Sequence, residues 1–384
     1  MAPEALAQGR GDPFTVRGVE VDESANSVTQ ARDRALLVGQ RRALDRLLRR
    51  LVVAADVERL PRLPNNEMLR LVEAIQVASE KSSATRYIAE LIVSFRKDRV
   101  RALLRANDVR FAETRAKPAL ILPVLEEGGE RLLFDDANPW REAWLAEPAA
   151  AESLMPLMLP LGDLADVATI GPNDAAFGDE RRIGQMATRY EVDGVLVVLA
   201  RLGRDFAADR PTLDISLRRY GGVGARVMVD KFEAEPGETV EALMARAVTA
   251  LVAGLEEDWK QETASARGVE QRLSVQVPLV DFQDWLTIRQ RLLRNAMVRR
   301  VEILSIRKSD AQLALDYEGL PSQLQVALAQ DDLELREQDG FWLLGQRGRL
   351  PGIAAQDVPT PADAVLPSDA AKPALEPPAK PAAE

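Results

Sequence analysis

Val192-Asp193-Gly194-Val195-Leu196-Val197-Val198-Leu199 is the strongest strand signal in this chain, and it decides how the middle of the protein is read. Its last five residues are all apolar and mostly β-branched, the composition that pleated backbone favours. A polar helix expected from Asp179 to Tyr190 leads into it. Upstream, Ala119-Leu120-Ile121-Leu122-Pro123-Val124-Leu125 is a second, buried-strand run. Asn138-Pro139 starts a short helix carrying Trp140 and Trp144, and Leu157 to Leu161 is a further apolar stretch. Downstream, Leu213, Ile215 and Leu217, then Val227 and Val229, alternate as an antiparallel meander, and a long helix from Glu238 to about Glu262 follows. Strands and helices mixed in this way imply a central α/β domain over residues 118–264.

Working outward, residues 14–115 carry a different pattern. Phe14, Val16, Val19 and Val21 form an opening strand with an irregularity at Gly18. Asn26-Ser27 offers a helix cap, and Val28, Ala31, Ala35, Val38, Ala43, Leu47 and Leu51 then recur at helical spacing. Two strands follow around Lys81-Ser82-Ser83, then a helix from Asp98 to Ala106 and a closing strand at Val109 and Phe111. The expected order is βαββαβ.

Residues 271–347 repeat that order, with Asp281 as helix cap and a last hairpin at Asp339-Gly340. At a constant offset of 224, Val100 meets Leu324, Leu104 meets Leu328, Asp108 meets Asp332 and Phe111 meets Leu335. The fold class expected is therefore multidomain α+β: two small split-βαβ-like modules flanking a central α/β domain. Residues 351–384 turn to Pro, Ala, Ser, Asp and Lys, a composition with too few apolar side chains to offset ordering entropy. They read as a disordered tail.

Composition removes whole classes of chemistry. The chain has no histidine and no cysteine, so Ser-His-Asp units, thiolate nucleophiles, disulfides and ordinary zinc sites are excluded. Net charge is −10, which argues against a protein held on nucleic-acid phosphates. Lysine supplies only eight of the 50 basic residues; with so much alanine, the arginine excess reads as the coding bias of a GC-rich genome. No apolar run approaches the roughly 20 residues of a membrane helix. Ala5-Leu6-Ala7-Gln8 reads like the end of a secretory leader whose apolar stretch is missing or trimmed.

The stretches Ala31 to Leu36, Gly39 to Leu44 and Leu47 to Leu51 resemble the N-terminal signature of a bacterial family known as domain of unknown function 2066. Arg189 to Leu196 and Ala119 to Phe134 are similar to that family as well, and the likeness spans most of residues 14–345. It implies an exported, envelope-associated protein with envelope proteins as partners, and it brings no catalytic residues. More distantly, the first module is similar to modules of flagellar-rim and outer-membrane lipoproteins. The middle one is similar to the α/β domain of periplasmic scaffold proteins such as the Tol translocation protein. The lipoprotein cysteine is missing here.

Candidate sites are few, and none calls for a metal or cofactor. Glu126, Glu127 and Glu130 around Gly128-Gly129, with Asp135-Asp136 beyond, have the residue types for acid–base hydrolysis. Their setting between two apolar runs is that of a solvated hairpin. Gly221-Gly222-Val223-Gly224 lies between two strands, so it reads as a turn and not as a phosphate cradle. Trp140, Trp144 and Arg141 are the candidate binding surface: two indoles at i, i+4 share one helix face, which either stacks a ligand or packs on the sheet. The helix arginines Arg32, Arg34, Arg41, Arg42, Arg46, Arg49 and Arg50 read as a solvated face, with lipid headgroups or a partner as the alternative. The expectation is a non-enzymatic binding or assembly module of the envelope; the competing reading is a carboxylate-based hydrolase acting on peptidoglycan or another glycan.

Overall fold

The computed structural model describes residues 12–135, 137–147, 153–205, 209–222, 227–264, 270–338 and 340–350. The leader-like segment, Asp136, Val223, Gly224, Asp339 and the Pro/Ala-rich tail lie outside these residues. Three sheets make up the described chain, each with its own helices.

The first sheet has the order β1-β3-β2, from β1 (Thr15–Ser24), β2 (Val72–Ser82) and β3 (Arg86–Phe95), all antiparallel. Helix α1 (Val28–Leu51) starts at Ser27, whose side chain accepts from the Gln30 amide, and buries Ala31, Ala35, Leu44, Leu47 and Leu51 on the sheet. Gly39 lets α1 approach the sheet closely: a Cβ there would lie 2.4 Å from a Leu91 methyl, which would have to shift. The expected irregularity at Gly18 is a bulge with φ +59°, a left-handed conformation that glycine adopts freely. Helices α2 (Asn65–Leu71) and α3 (Lys97–Ala106) complete this part.

The expected closing strand at Val109 and Phe111 is not a member of this sheet. Phe111 makes a lone antiparallel bridge to Val52, and the flanking amides of Val53 and Ala112 bond Arg110 O and Leu51 O. Both apolar side chains are buried, so the alternation is real. The backbone partner is the chain leaving α1, because this segment is already running out towards the next sheet.

The central sheet runs β5-β4-β7-β8-β9, with β6 beside β4. Its strands are β4 (Ala119–Glu127), β5 (Glu130–Leu132), β6 (Leu157–Met158), β7 (Gly194–Asp205), β8 (Arg210–Gly221) and β9 (Val227–Glu233). β7 is parallel to β4 and antiparallel to β8. Its apolar run does not alternate because both faces are covered. Val195, Val197 and Leu199 meet Ile183 and Met186, while Leu196, Val198 and Ala200 meet the tryptophans and the long helix. Four short helices supply these layers: α4 (Pro139–Leu145), α5 (Leu164–Thr169), α6 (Pro172–Phe177) and α7 (Glu180–Arg189), joined by the long α8 (Val240–Thr263). The meander forms as read, but Val227 and Val229 are 68% and 76% exposed on the outer strand β9.

The third sheet has five strands in the order β11-β12-β10-β14-β13. They are β10 (Glu270–Pro278), β11 (Val298–Ile306), β12 (Asp310–Glu318), β13 (Leu333–Gln338) and β14 (Phe341–Gln346). Helices α9 (Phe282–Arg294), capped by Asp281, and α10 (Pro321–Gln330) cover one face. The arrangement β10-β12-β11 repeats β1-β3-β2. The turn after α3 and the turn after α10 both place an aspartate at positive φ, Asp108 at +50° and Asp332 at +56°, at the two positions the offset of 224 aligns.

Candidate functional site

The three sheets meet at one junction, and polar side chains hold it. Lys260, near the end of α8 and 6% exposed, donates to Arg49 O and Val52 O at the end of α1. It also pairs with Glu257 at 3.0 Å, and Glu257 in turn accepts the Ala54 amide. Trp259 Nε1 donates to Thr114 O at 2.7 Å. A buried ammonium is costly unless every proton finds a partner. Here the carbonyls freed at the C-terminus of α1 supply them, and the negative end of that helix dipole favours the cation.

The third sheet joins through two ionic clusters. Lys117 pairs with Asp193 at 2.7 Å and with Asp332, Arg347 reaches Asp193 at 2.6 Å, and the Lys117 amide donates to Gln330 Oε1. Burial raises the Asp193 pKa, but bonds from Lys117 and Arg347 outweigh it and hold the carboxyl below its ordinary value. On the other side Glu318 accepts from Arg105 at 2.6 Å and from Arg299 at 2.8 Å. Burial again raises its pKa, and the two guanidinium groups bring the net shift below the ordinary value.

Between these contacts lies a cavity of about 60 Å³, bordered by Lys117, Met155, Asp193, Leu196, Trp259 and Arg347. It opens at the amino ends of the parallel pair β4 and β7, beside Ala119 and Gly194. Open α/β sheets bind ligands at the opposite, carboxyl ends. Its volume holds a few waters, and its charged groups are already paired with each other. It is the seam of an internal joint.

The candidate binding surface is not a surface. Trp140 and Trp144 are 0% and 1% exposed. They pack edge to face, 5.9 Å apart at 84°, in the core between the central sheet and α8, and Trp140 Nε1 donates to Val198 O. Such a pair contributes about 0.5–1.5 kcal/mol beyond its area. Arg141, on the half-buried flank of the same helix, donates to Pro160 O and Leu161 O, so it ties down a loop. Two large indoles at i, i+4 give a helix one wide apolar face, and the sheet takes it.

The acidic candidates do not converge. Gly128 and Gly129 both have positive φ and turn the β4–β5 hairpin, with Glu127 paired across from Glu130. Glu126 is held by Arg131 at 2.6 Å and Arg201 at 3.2 Å, and Asp135 accepts the Leu133 amide. Gly221 ends β8 with φ +69°, in the connection to β9. Among the described residues no group of three or more acidic side chains is placed to hold a metal ion.

The arginines of α1 have a use that neither sequence reading contained. Arg34, Arg42, Arg46 and Arg50 form one stripe and donate to Ser24 O, Glu20 O, Gly18 O, and the carbonyls of Pro13 and Thr15. These carbonyls lie along β1 and the residues just before it, and among the described residues no strand pairs with the other side of β1. Four guanidinium groups thus close one open edge of the first sheet. The four-residue spacing was visible in the sequence, but the recipients were not.

No family model matches the chain, and no curated protein matches it. The likeness seen over residues 14–345 therefore stands on its quoted residues alone. Among solved structures, the lipoprotein GNA1162 of Neisseria meningitidis is 12% identical, with 36% of this chain and 97% of that one covered and a TM-score of 0.26. A PelC dodecamer structure from Paraburkholderia phytofirmans gives 9% identity, 48% and 99% coverage, and a TM-score of 0.24. The C-terminal domain of LpoB from Salmonella enterica gives 14%, 32% and 85%, with a TM-score of 0.20.

Proposed function

We propose that this chain is a non-enzymatic binding or assembly component of the bacterial envelope, built from three modules over residues 14–115, 118–264 and 271–347. One observation carries the reading. Junction charges such as Lys117, Asp193, Lys260 and Glu318 join one sheet to the next, while exposed apolar side chains gather on the flank of the third sheet: Phe282, Leu286, Leu293, Ile303, Leu304 and Ile306. A jointed body with an apolar flank suits a protein that holds partners in a fixed relation. Support for the compartment comes from the leader-like Ala5-Leu6-Ala7-Gln8 and from the family resemblance. The hydrolase alternative needs two carboxyl groups facing one substrate, whereas Glu127 and Glu130 sit across the β4–β5 hairpin, Glu126 is held by Arg131 and Arg201, and Asp135 accepts the Leu133 amide.

In vivo crosslinking and pull-down from the envelope fraction, using the gene with its upstream codons, test the reading. Envelope partners are expected. Recovery from the cytosol alone contradicts the compartment, and a glycan-hydrolysing activity abolished by Glu126→Gln or Asp135→Asn contradicts the non-enzymatic role.

A further inference from the structure

The outer strand of the third sheet is open. β11 pairs with β12 on one side, and among the described residues no strand lies on the other. Bulges near Arg299 and Leu304 leave a regular stretch at Arg300–Ile303. Ile303 and Ile306 lie opposite Leu313 and Ala311, both buried in the core beneath the helices, yet they remain 47% and 48% exposed. They face the helix side of the sheet and reach past its rim.

Helix α9 continues this surface. Its Asp284 accepts from Gln346 of β14, and its Arg291 donates to Asp332 O beside β13, which fixes that flank towards the far side of the sheet. By the helical repeat, Phe282, Leu286, Arg289 and Leu293 fall within an arc of about 60° on the opposite flank, towards β11. The three apolar members are 65%, 39% and 60% exposed. An apolar helix flank and an open strand therefore adjoin.

The local charge is opposite to that of the whole chain. Residues 280–310 hold seven basic and four acidic side chains, in a protein of net charge −10. Arg289, Arg294, Arg300, Arg307 and Lys308 are exposed, and none has an ion-pair partner among the described residues. Of the acids, Asp281 and Asp284 cap and anchor α9, Glu302 is held by Arg272, and Asp310 opens β12 just after the turn. An open strand also presents backbone groups that seek hydrogen bonds, which a lipid surface does not supply as a ladder.

We propose that the flank between α9 and β11 docks an extended, acidic and apolar protein segment that adds as a strand to β11. Backbone pairing gives the register. Alternate side chains meet Leu286, Leu293 and Ile303 on the helix side, and the acidic ones, on the other face of the added strand, meet Arg300. This rests on the binding-module reading and names its partner class.

The test uses the full chain and a short fluorescent peptide alternating glutamate and valine. Its counterparts are the lysine–valine peptide, the glutamate–valine peptide N-methylated at alternate residues, and phosphatidylglycerol vesicles. The acidic peptide is expected to bind in a salt-sensitive manner, and the lysine and N-methylated peptides to bind at least about tenfold more weakly. Arg300→Glu, or Leu293→Asp, lowers its affinity by about tenfold or more; both side chains are exposed, and circular dichroism verifies the fold. Absence of binding, equal binding of the three peptides, indifference to the substitutions, or binding to vesicles alone overturns the proposal. Envelope partners still captured in the pull-down would leave the binding-module reading standing and place its docking surface elsewhere.

Discussion

The first and third sheets share a strand arrangement and an abundance of arginine, yet they treat their edges in opposite ways. Along β1, Arg34, Arg42, Arg46 and Arg50 bend over the edge and bond its carbonyls. Beside β11, Arg289, Arg294, Arg300 and Arg307 point to solvent beside exposed leucine and isoleucine. The same residue type closes one edge and leaves the other available. The difference lies in register: α1 lies along β1 so that residues four apart meet successive strand carbonyls. The polar flank of α9 instead turns inward to β13 and β14.

The joint between the sheets sets the largest expected effect. Lys260→Met keeps the apolar stem but leaves Arg49 O, Val52 O and Glu257 without their cation. It is expected to cost about 2–3 kcal/mol, read from the urea midpoint. An unchanged midpoint would mean that the end of α1 does not depend on α8. Next, replacing Arg42, Arg46 and Arg50 together by alanine removes the closure of β1 from Pro13 to Glu20 and leaves only Arg34 at Ser24. The cost is roughly 1–2 kcal/mol, since the bonds are partly solvated, and concentration-dependent association should appear in sedimentation. A triple variant that stays monodisperse at wild-type stability would remove the contrast between the two edges.

Acid probes the ionic clusters without mutation. The pKa values of Asp193 and Glu318 lie below the ordinary 3.8 and 4.5 in the folded protein. The stability they contribute is therefore complete above those ordinary values and is lost as pH falls below them towards the lower folded values. Urea midpoints taken down to about pH 3 should fall less steeply in Asp193→Asn and Glu318→Gln than in the native chain; parallel curves would show that these carboxylates do not link the sheets. The smallest effect belongs to the open flank. Alanine at Arg289, Arg294 and Arg300 should change stability by no more than about 0.5 kcal/mol, because among the described residues these exposed side chains have no ion-pair partner.

Much of the architecture was legible because its cause is local. The apolar period of residues 28–51, the Ser27 and Asp281 caps, and the glycines at 128 and 129 each act within a few residues, and the elements follow. Val109 and Phe111, expected as a closing strand, are buried but bridge the chain leaving α1 instead of joining the sheet, since alternation does not name the pairing partner. Trp140 and Trp144 show the same ambiguity: a wide aromatic helix face fits a ligand or a sheet equally well until the sheet is placed. The surfaces now of interest were hidden for a related reason. An arginine stripe on a helix looks alike whether the next edge lies within reach or not, and spacing alone does not separate the exposed Phe282, Leu286 and Leu293 of α9 from the buried Trp285, Ile288 and Leu292 beside them.

Photocrosslinking in growing cells tests the central contrast most directly. A photoreactive phenylalanine analogue replaces Leu293 on the open flank or, as the closed-edge counterpart, Glu20 on β1; both side chains are exposed. The account predicts adducts with envelope proteins from position 293 and none from position 20. Equal yields from both positions, or adducts from position 20 alone, would contradict it.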